Sequence, residues 1–306
     1  MSTDSDWTVL PTGIGRVVTA MVTPFTADGS IDLDGAATLA RHLVDSGSQT
    51  ILVNGTTGES PTLTADEAGE VLAAVRDAVV GDATVMMGTG TNATRSTVAA
   101  TERATAAGAD AIMVVTPYYN RPDQRGLAEH FRAAADATDR PVVLYDIPFR
   151  TGREIARETL VELAAVENIV GVKDATADLG KVADVLAATH GADGGFGVWC
   201  GADEVNLPVL AVGGHGVISV SAHLAGPEIA AMIRVFPSDP ARARELHQRC
   251  LHLHRALFAE PSPAPLKGAL AALGLPGGPV RAPMYAASPD VVARVLDAHR
   301  ALVDAR

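Results

Sequence analysis

Ile169-Val170-Gly171-Val172-Lys173-Asp174-Ala175-Thr176 is a run of β-branched apolar residues that reads as a fully buried strand of a parallel sheet, followed by a polar turn. It places an ammonium group at the end of that strand. Desolvation lowers the pKa of a lysine, and the neutral amine so formed is a nucleophile able to condense with a carbonyl to a Schiff base. The alternative is a strand-end ion pair between Lys173 and Asp174 with no further role. The chain holds only three lysines, Lys173, Lys181 and Lys267, and arginine supplies the rest of its positive charge.

Outward from this strand the same pattern repeats. Strand-like runs at 17–22, 50–53, 84–87, 111–115, 142–145, 169–173, 197–200 and 216–220 alternate with amphipathic segments at 33–46, 64–80, 93–107, 124–138, 157–165, 179–190 and 204–212. Strict alternation is the signature of a parallel α/β sheet, and eight repeats match a (β/α)8 TIM barrel. A doubly wound open sheet stays open as the alternative, because a count of strands does not show closure. Thr64, three residues before Glu67, predicts a capping box, and Gly47, Gly81 and Gly108 predict helix stops. After Ser221 the strands cease, and 227–236, 240–258, 265–273 and 289–305 read as helices. The expected organisation is a tail at 1–15, a catalytic barrel at 16–223 and a C-terminal α-helical extension at 224–306.

A chain of 306 residues, 47% of them hydrophobic, can bury a large core. Its net charge is −12 with no basic cluster, so neither nucleic acid nor an anionic membrane is an expected partner. The acidic start Met1-Ser2-Thr3-Asp4-Ser5-Asp6-Trp7 has no apolar core, and no run approaches the roughly 20 apolar residues of a membrane span. Cys200 and Cys250 have no metal-like spacing. A reducing cytoplasmic setting is expected.

In a barrel of this kind the reactive groups lie at the C-terminal ends of strands. Asn54-Gly55-Thr56-Thr57-Gly58-Glu59-Ser60 follows the second strand; it is either an ordinary glycine turn or one whose amides and hydroxyls converge on an anion such as a carboxylate. Gly88-Thr89-Gly90 lacks the third glycine of a dinucleotide fingerprint and reads as packing. The fourth strand ends in Thr116-Pro117-Tyr118-Tyr119-Asn120-Arg121-Pro122, and the fifth in Tyr145-Asp146-Ile147-Pro148-Phe149-Arg150. Three of the four tyrosines of the chain therefore gather at strand ends, around the mouth that Lys173 would share. Gly201 after the seventh strand and the glycines around His215 would leave that mouth open. His215 is read as structural. His247, Cys250 and His254 share a helix face, but no carboxylate completes a zinc set, so neither metal nor cofactor is expected.

Together with Ala20-Met21-Val22-Thr23-Pro24-Phe25, Gly213-Gly214-His215-Gly216-Val217-Ile218-Ser219 and Pro265-Leu266-Lys267, these motifs resemble the dihydrodipicolinate synthase (4-hydroxy-tetrahydrodipicolinate synthase) family, within the pyruvate-dependent class I aldolases that include N-acetylneuraminate lyase. The likeness spans nearly the whole chain. It implies a lyase of the lysine and diaminopimelate pathway that condenses pyruvate with L-aspartate 4-semialdehyde. By the same likeness Lys173 forms the Schiff base, the amides of Thr56 and Thr57 hold the pyruvate carboxylate, and Thr56, Tyr119 and Tyr145 form a proton relay. Tyr119 would come from a neighbouring subunit of a homotetramer built as a dimer of dimers. Arg150 would hold the carboxylate of the semialdehyde, while Gly201 and Ile218 would line the pocket.

This sequence departs from the family pattern in places. Members inhibited by lysine bind it through two histidines and a glutamate, where this chain has Ala65, Ala68 and Ser96, although Ser60, Asn92 and Tyr118 match that site. Feedback by lysine is expected to be weak or absent. Asp146 stands where many members have asparagine. Two other readings compete: a pyruvate aldolase acting on a different aldehyde, which Arg150 disfavours, and a silent barrel kept for binding or assembly, which would have no use for Lys173 and three hydroxyls.

Overall fold

Residues 13–189 and 195–305 are described by a computed structural model. Short runs rich in valine and isoleucine form eight strands among them: β1 Val17–Ala20, β2 Thr50–Val53, β3 Thr84–Gly88, β4 Ala111–Val115, β5 Val142–Asp146, β6 Ile169–Asp174, β7 Gly197–Cys200 and β8 Gly216–Ser219. Nearly every strand residue is buried, as strands covered on both faces require. Their order is sequential and the ring closes, which decides for the barrel over the open sheet. The parallel register sets Lys173 beside Tyr145 on one side and Trp199 on the other.

The helices are α1 Leu33–Asp45, α2 Ala65–Val79, α3 Thr94–Ala106, α4 Gln124–Asp136, α5 Pro148–Thr151, α6 Arg157–Leu163, α7 Leu179–Thr189, α8 Asn206–Ala211, α9 Ala222–Val235, α10 Pro240–Leu257, α11 Ala264–Ala272 and α12 Pro289–Asp304. Thr64 and Glu67 make the capping box reciprocally, and Gly47, Gly81 and Gly108 end their helices at positive φ. Three expectations shift. The segment expected at 204–212 is a 3-10 turn, Asp203–Val205, followed by α8, because Val205 leaves helical geometry at φ −115°, ψ 18°. Helix α9 begins five residues before Pro227, which sits inside it, with the kink falling at Ala225. Helix α5 lies within what read as a loop, nucleated by Pro148 at its first position. The end expected for α7, residue 190, lies outside the described residues.

The chain folds as two compact units, one comprising residues up to Val18 with Thr84–Ile218, the other Thr19–Ala83 with the residues from Ser219 onward. In the first, β6 and β7 approach so closely at Gly171 that a Cβ there would lie 2.2 Å from the Gly197 carbonyl oxygen and 2.6 Å from the Trp199 ring. Only glycine fits. The Trp199 indole donates to the Gly15 carbonyl oxygen at 2.9 Å. In the second unit α1 packs on α2, and α10 packs against α9 and α12. His247, Cys250 and His254 are buried on α10, the two imidazole centroids 6.4 Å apart. Among the described residues no group of three or more histidines, cysteines or carboxylates is placed to hold a metal, and no helix is long and apolar enough to cross a membrane.

Candidate active site

Lys173 is the penultimate residue of β6, where the apolar run Ile169 to Val172 carries the backbone into the core. Its side chain is only 4% exposed. The Nζ atom stands 4.1 Å from the centroid of the Tyr145 ring, contributed by the adjacent strand. Burial brings its pKa down to about 8, Asp203 and Cys200 pull it back up, and Arg150 pushes it further down. The strand-end ion pair with Asp174 does not form. Successive strand residues face opposite sides, and the Asp174 carboxylate instead accepts from the amide and hydroxyl of Thr176, at 2.9 and 2.7 Å.

The groups around Lys173 come from β5, β6 and β7. Gly201, just past β7, leaves room for the lysine stem: a Cβ there would meet Lys173 Cε and Cγ at 3.0 Å. Arg150 rides on α5, exposed, its guanidinium 5.5 Å from the Phe149 ring centroid, and makes no ion pair among the described residues. Ile218 is buried on β8. Within this unit, then, Lys173, Tyr145 and Gly201 meet directly, and Arg150 lies near enough to act on the lysine's charge. Tyr119 does not join them in the single chain: it is 90% exposed, in a left-handed conformation at φ 74° that a non-glycine residue rarely takes. His215 is structural, its ring 5.0 Å from Trp199 and edge-on to it, its imidazole held neutral by burial that brings its pKa to about 4. Gly90 packs against Val115.

In the second unit Thr56 and Thr57 occupy the turn after β2. The turn closes on itself through Glu59 N to Thr56 O and Ser60 N to Gly55 O. The Thr23 hydroxyl donates to the Gly58 carbonyl oxygen at 2.6 Å. The amides of Thr56 and Thr57 are left without an acceptor among the described residues, although Thr57 is buried. Such a pair is a ready donor set for an anion. Glu59 fixes the far end of the turn: held at φ 57°, its buried carboxylate meets Lys267 Nζ at 2.5 Å and accepts from the Arg281 amide at 2.9 Å. Lys267 Nζ also donates to the Pro279 carbonyl oxygen and lies 4.0 Å from the Phe25 ring centroid.

Sequence reasoning missed Lys181 and Lys267, although the scarcity of lysine was a signal that applied to all three. Each is buried, at 4%, 9% and 2% exposure for Lys173, Lys181 and Lys267. Lys181 gives Asp146 a buried partner: its Nζ lies 2.6 Å from Asp146 Oδ2 and 2.8 Å from Glu154 Oε1, so the Asp146 carboxylate is paired rather than left alone in the core.

The family model described as the dihydrodipicolinate synthetase family matches residues 13–300. The chain is 49% identical over 275 residues to the 4-hydroxy-tetrahydrodipicolinate synthase of Moorella thermoacetica, covering 90% of this chain and 93% of that one. It is 50% identical over 286 residues to the enzyme of the same name from Acidothermus cellulolyticus, covering 93% and 91%. The crystal structure of the Cyanidioschyzon merolae DHDPS with lysine bound superposes with a TM-score of 0.92 at 42% identity, over 95% of this chain and 98% of that one.

Proposed function

The chain belongs to the dihydrodipicolinate synthetase family, and from that premise we propose that it condenses pyruvate with L-aspartate 4-semialdehyde to 4-hydroxy-tetrahydrodipicolinate, through a Schiff base on Lys173. The observation that carries the reading is a lysine enclosed at the end of a barrel strand, against a tyrosine ring, with its pKa lowered to about 8 by burial. At pH 7 about one molecule in ten then holds a neutral amine, against about one in 3,000 at the ordinary value of 10.5.

The neutral Nζ attacks C2 of pyruvate, and loss of water gives the iminium. That cation is an electron sink, so a methyl proton leaves and the enamine forms. The enamine carbon attacks the aldehyde carbon of the semialdehyde. The amino group of the adduct then attacks C2 and displaces Lys173 as the ring closes, returning the enzyme. Thr56, Tyr145 and Tyr119 carry the protons as linked hydroxyls. The exposure and left-handed backbone of Tyr119 suit a side chain donated to a neighbouring subunit, in a homotetramer assembled as a dimer of dimers. The unpaired amides of Thr56 and Thr57 hold the pyruvate carboxylate. Arg150, exposed and without an ion pair among the described residues, offers its fork to the carboxylate of the second substrate. Ile218 and Gly201 give the pocket an apolar, uncrowded wall.

Borohydride reduction in the presence of pyruvate, followed by peptide mass spectrometry, tests the first half: an adduct on Lys173 is expected, and its absence overturns the mechanism. A coupled assay with pyruvate and the semialdehyde tests the second. Arg150→Ala should lower turnover of this acidic aldehyde far more than pyruvate trapping, which loses only the arginine's small share in depressing the Lys173 pKa.

A further inference from the structure

Arg150 sits on a loop that leaves the barrel at Asp146, the last residue of β5, and returns at Ile155, just before α6. The two ends are tied together. The Ile155 amide donates to both oxygens of the Asp146 carboxylate, each at 3.3 Å. Lys181, reaching in from α7, places Nζ 2.6 Å from Asp146 Oδ2 and 2.8 Å from Glu154 Oε1. One ammonium thus bridges a carboxylate at the start of the loop and a carboxylate at its end. Asp146 is fully buried, and the Lys181 side chain nearly so. Asp174, on the neighbouring strand, adds a third negative charge, and burial is outweighed so that the Lys181 ammonium is held above its ordinary pKa. Within the loop, the Thr151 hydroxyl lies 3.1 Å from the Ile147 carbonyl oxygen and 2.8 Å from that of Arg153, so the strap is stiff between two fixed ends.

Given the reading of Arg150 as the carboxylate clamp for the semialdehyde, we propose that Lys181 is a positioning residue for the second substrate: by pinning Asp146 to Glu154 it sets where Arg150 stands, and so governs recognition of the acidic aldehyde rather than capture of pyruvate. The three electrostatic influences on Lys173 beyond burial are Asp203, Cys200 and Arg150; Lys181 is not among them. The Schiff-base step should therefore feel it only through Arg150, the smallest of the three influences.

The test compares Lys181→Met, Glu154→Gln and Arg150→Ala, singly and with Lys181→Met combined with Arg150→Ala, in the full-length protein. Lys181→Met is expected to raise KM for L-aspartate 4-semialdehyde about tenfold while KM for pyruvate and the rate of borohydride trapping stay within twofold of wild type. Glu154→Gln, which removes only the half-exposed arm of the bridge, should shift the same constant in the same direction by less, and it serves where Lys181→Met folds poorly. The double variant should be no worse for the aldehyde than Arg150→Ala alone, because the lysine acts through that arginine. Additive losses in the double variant, or equal changes in the constants of both substrates, overturn the proposal. Wild type that traps pyruvate yet ignores the semialdehyde overturns the reading of the second substrate, and the role of Lys181 with it. Wild type that condenses both while Lys181→Met behaves normally overturns the positioning role alone.

Discussion

Replacing Gly201 with alanine separates the placement of the reactive amine from the stability of the barrel. The φ of Gly201 lies outside the left-handed region, so the backbone accepts alanine without strain, but the new methyl carbon would stand 3.0 Å from Lys173 Cε and Cγ and 3.1 Å from Ala175 Cβ. Ordinary carbon contacts are about 3.5–4.0 Å. The stem must therefore retreat by roughly 0.5–1 Å, and the Tyr145 ring, 4.1 Å from Nζ, stands close by to resist the movement. A displacement of about 1 Å at a reacting group costs on the order of 100-fold, and half of that about tenfold, or roughly 1.4 kcal/mol. The flexible stem absorbs the crowding, so the melting temperature should change by no more than about 2 °C. The assay is the rate of pyruvate adduct formation on Lys173, trapped with borohydride and read by intact mass, beside a thermal melt. Trapping within twofold of wild type would refute this account of the lysine's placement, as would a loss of activity matched by a loss of folded protein.

Lys173→Met should stabilise the protein at neutral pH. A folded pKa of about 8 against an unfolded value near 10.5 means that burial penalises the charged form; the penalty is full below about pH 8, on the order of 3 kcal/mol, and vanishes as pH rises through about 10.5. Melting curves should show the variant several degrees above wild type at pH 7 and level with it near pH 11. Glu59→Gln and Lys267→Met should each destabilise by about 3–5 kcal/mol, because either leaves its partner buried and unpaired; urea denaturation of the double variant should show a loss well short of the sum. With alanine at 65 and 68 and serine at 96, activity should survive millimolar L-lysine, and a steep fall in the coupled assay would contradict that expectation.

The barrel was legible because each strand is a compact run of valine, isoleucine or leucine bounded by glycine or a polar turn, and seven of the eight expected runs lie within one residue of the observed limits. Two of the three shifted expectations involve proline, since Pro227 lies inside α9 and Pro148 opens α5, while the third turns on the backbone of Val205. The burial of Lys173 was legible too, since a lysine that ends an apolar run must either shed its proton or find a buried counter-charge. Its partners were less so. Lys181 meets Asp146 from another strand–helix repeat, and Lys267 meets Glu59 from the far end of the chain; no local pattern announces a charge pair closed by tertiary packing. Tyr119 stands out in the sequence as half of a tyrosine pair, but residue type alone does not foretell its 90% exposure in one chain.

The burial of every lysine has a practical outcome for chemical labelling. Acylating and cross-linking reagents aimed at primary amines find no lysine ammonium on the surface to modify. Lys181 is locked between carboxylates, and Lys267 is clasped by Glu59 and a carbonyl oxygen. Burial brings Lys173 and Lys267 alike to a pKa of about 8, so mildly alkaline buffer relieves both of their proton, and what separates them toward a small acylating probe is the clasp of Glu59 and the Pro279 carbonyl oxygen on Lys267.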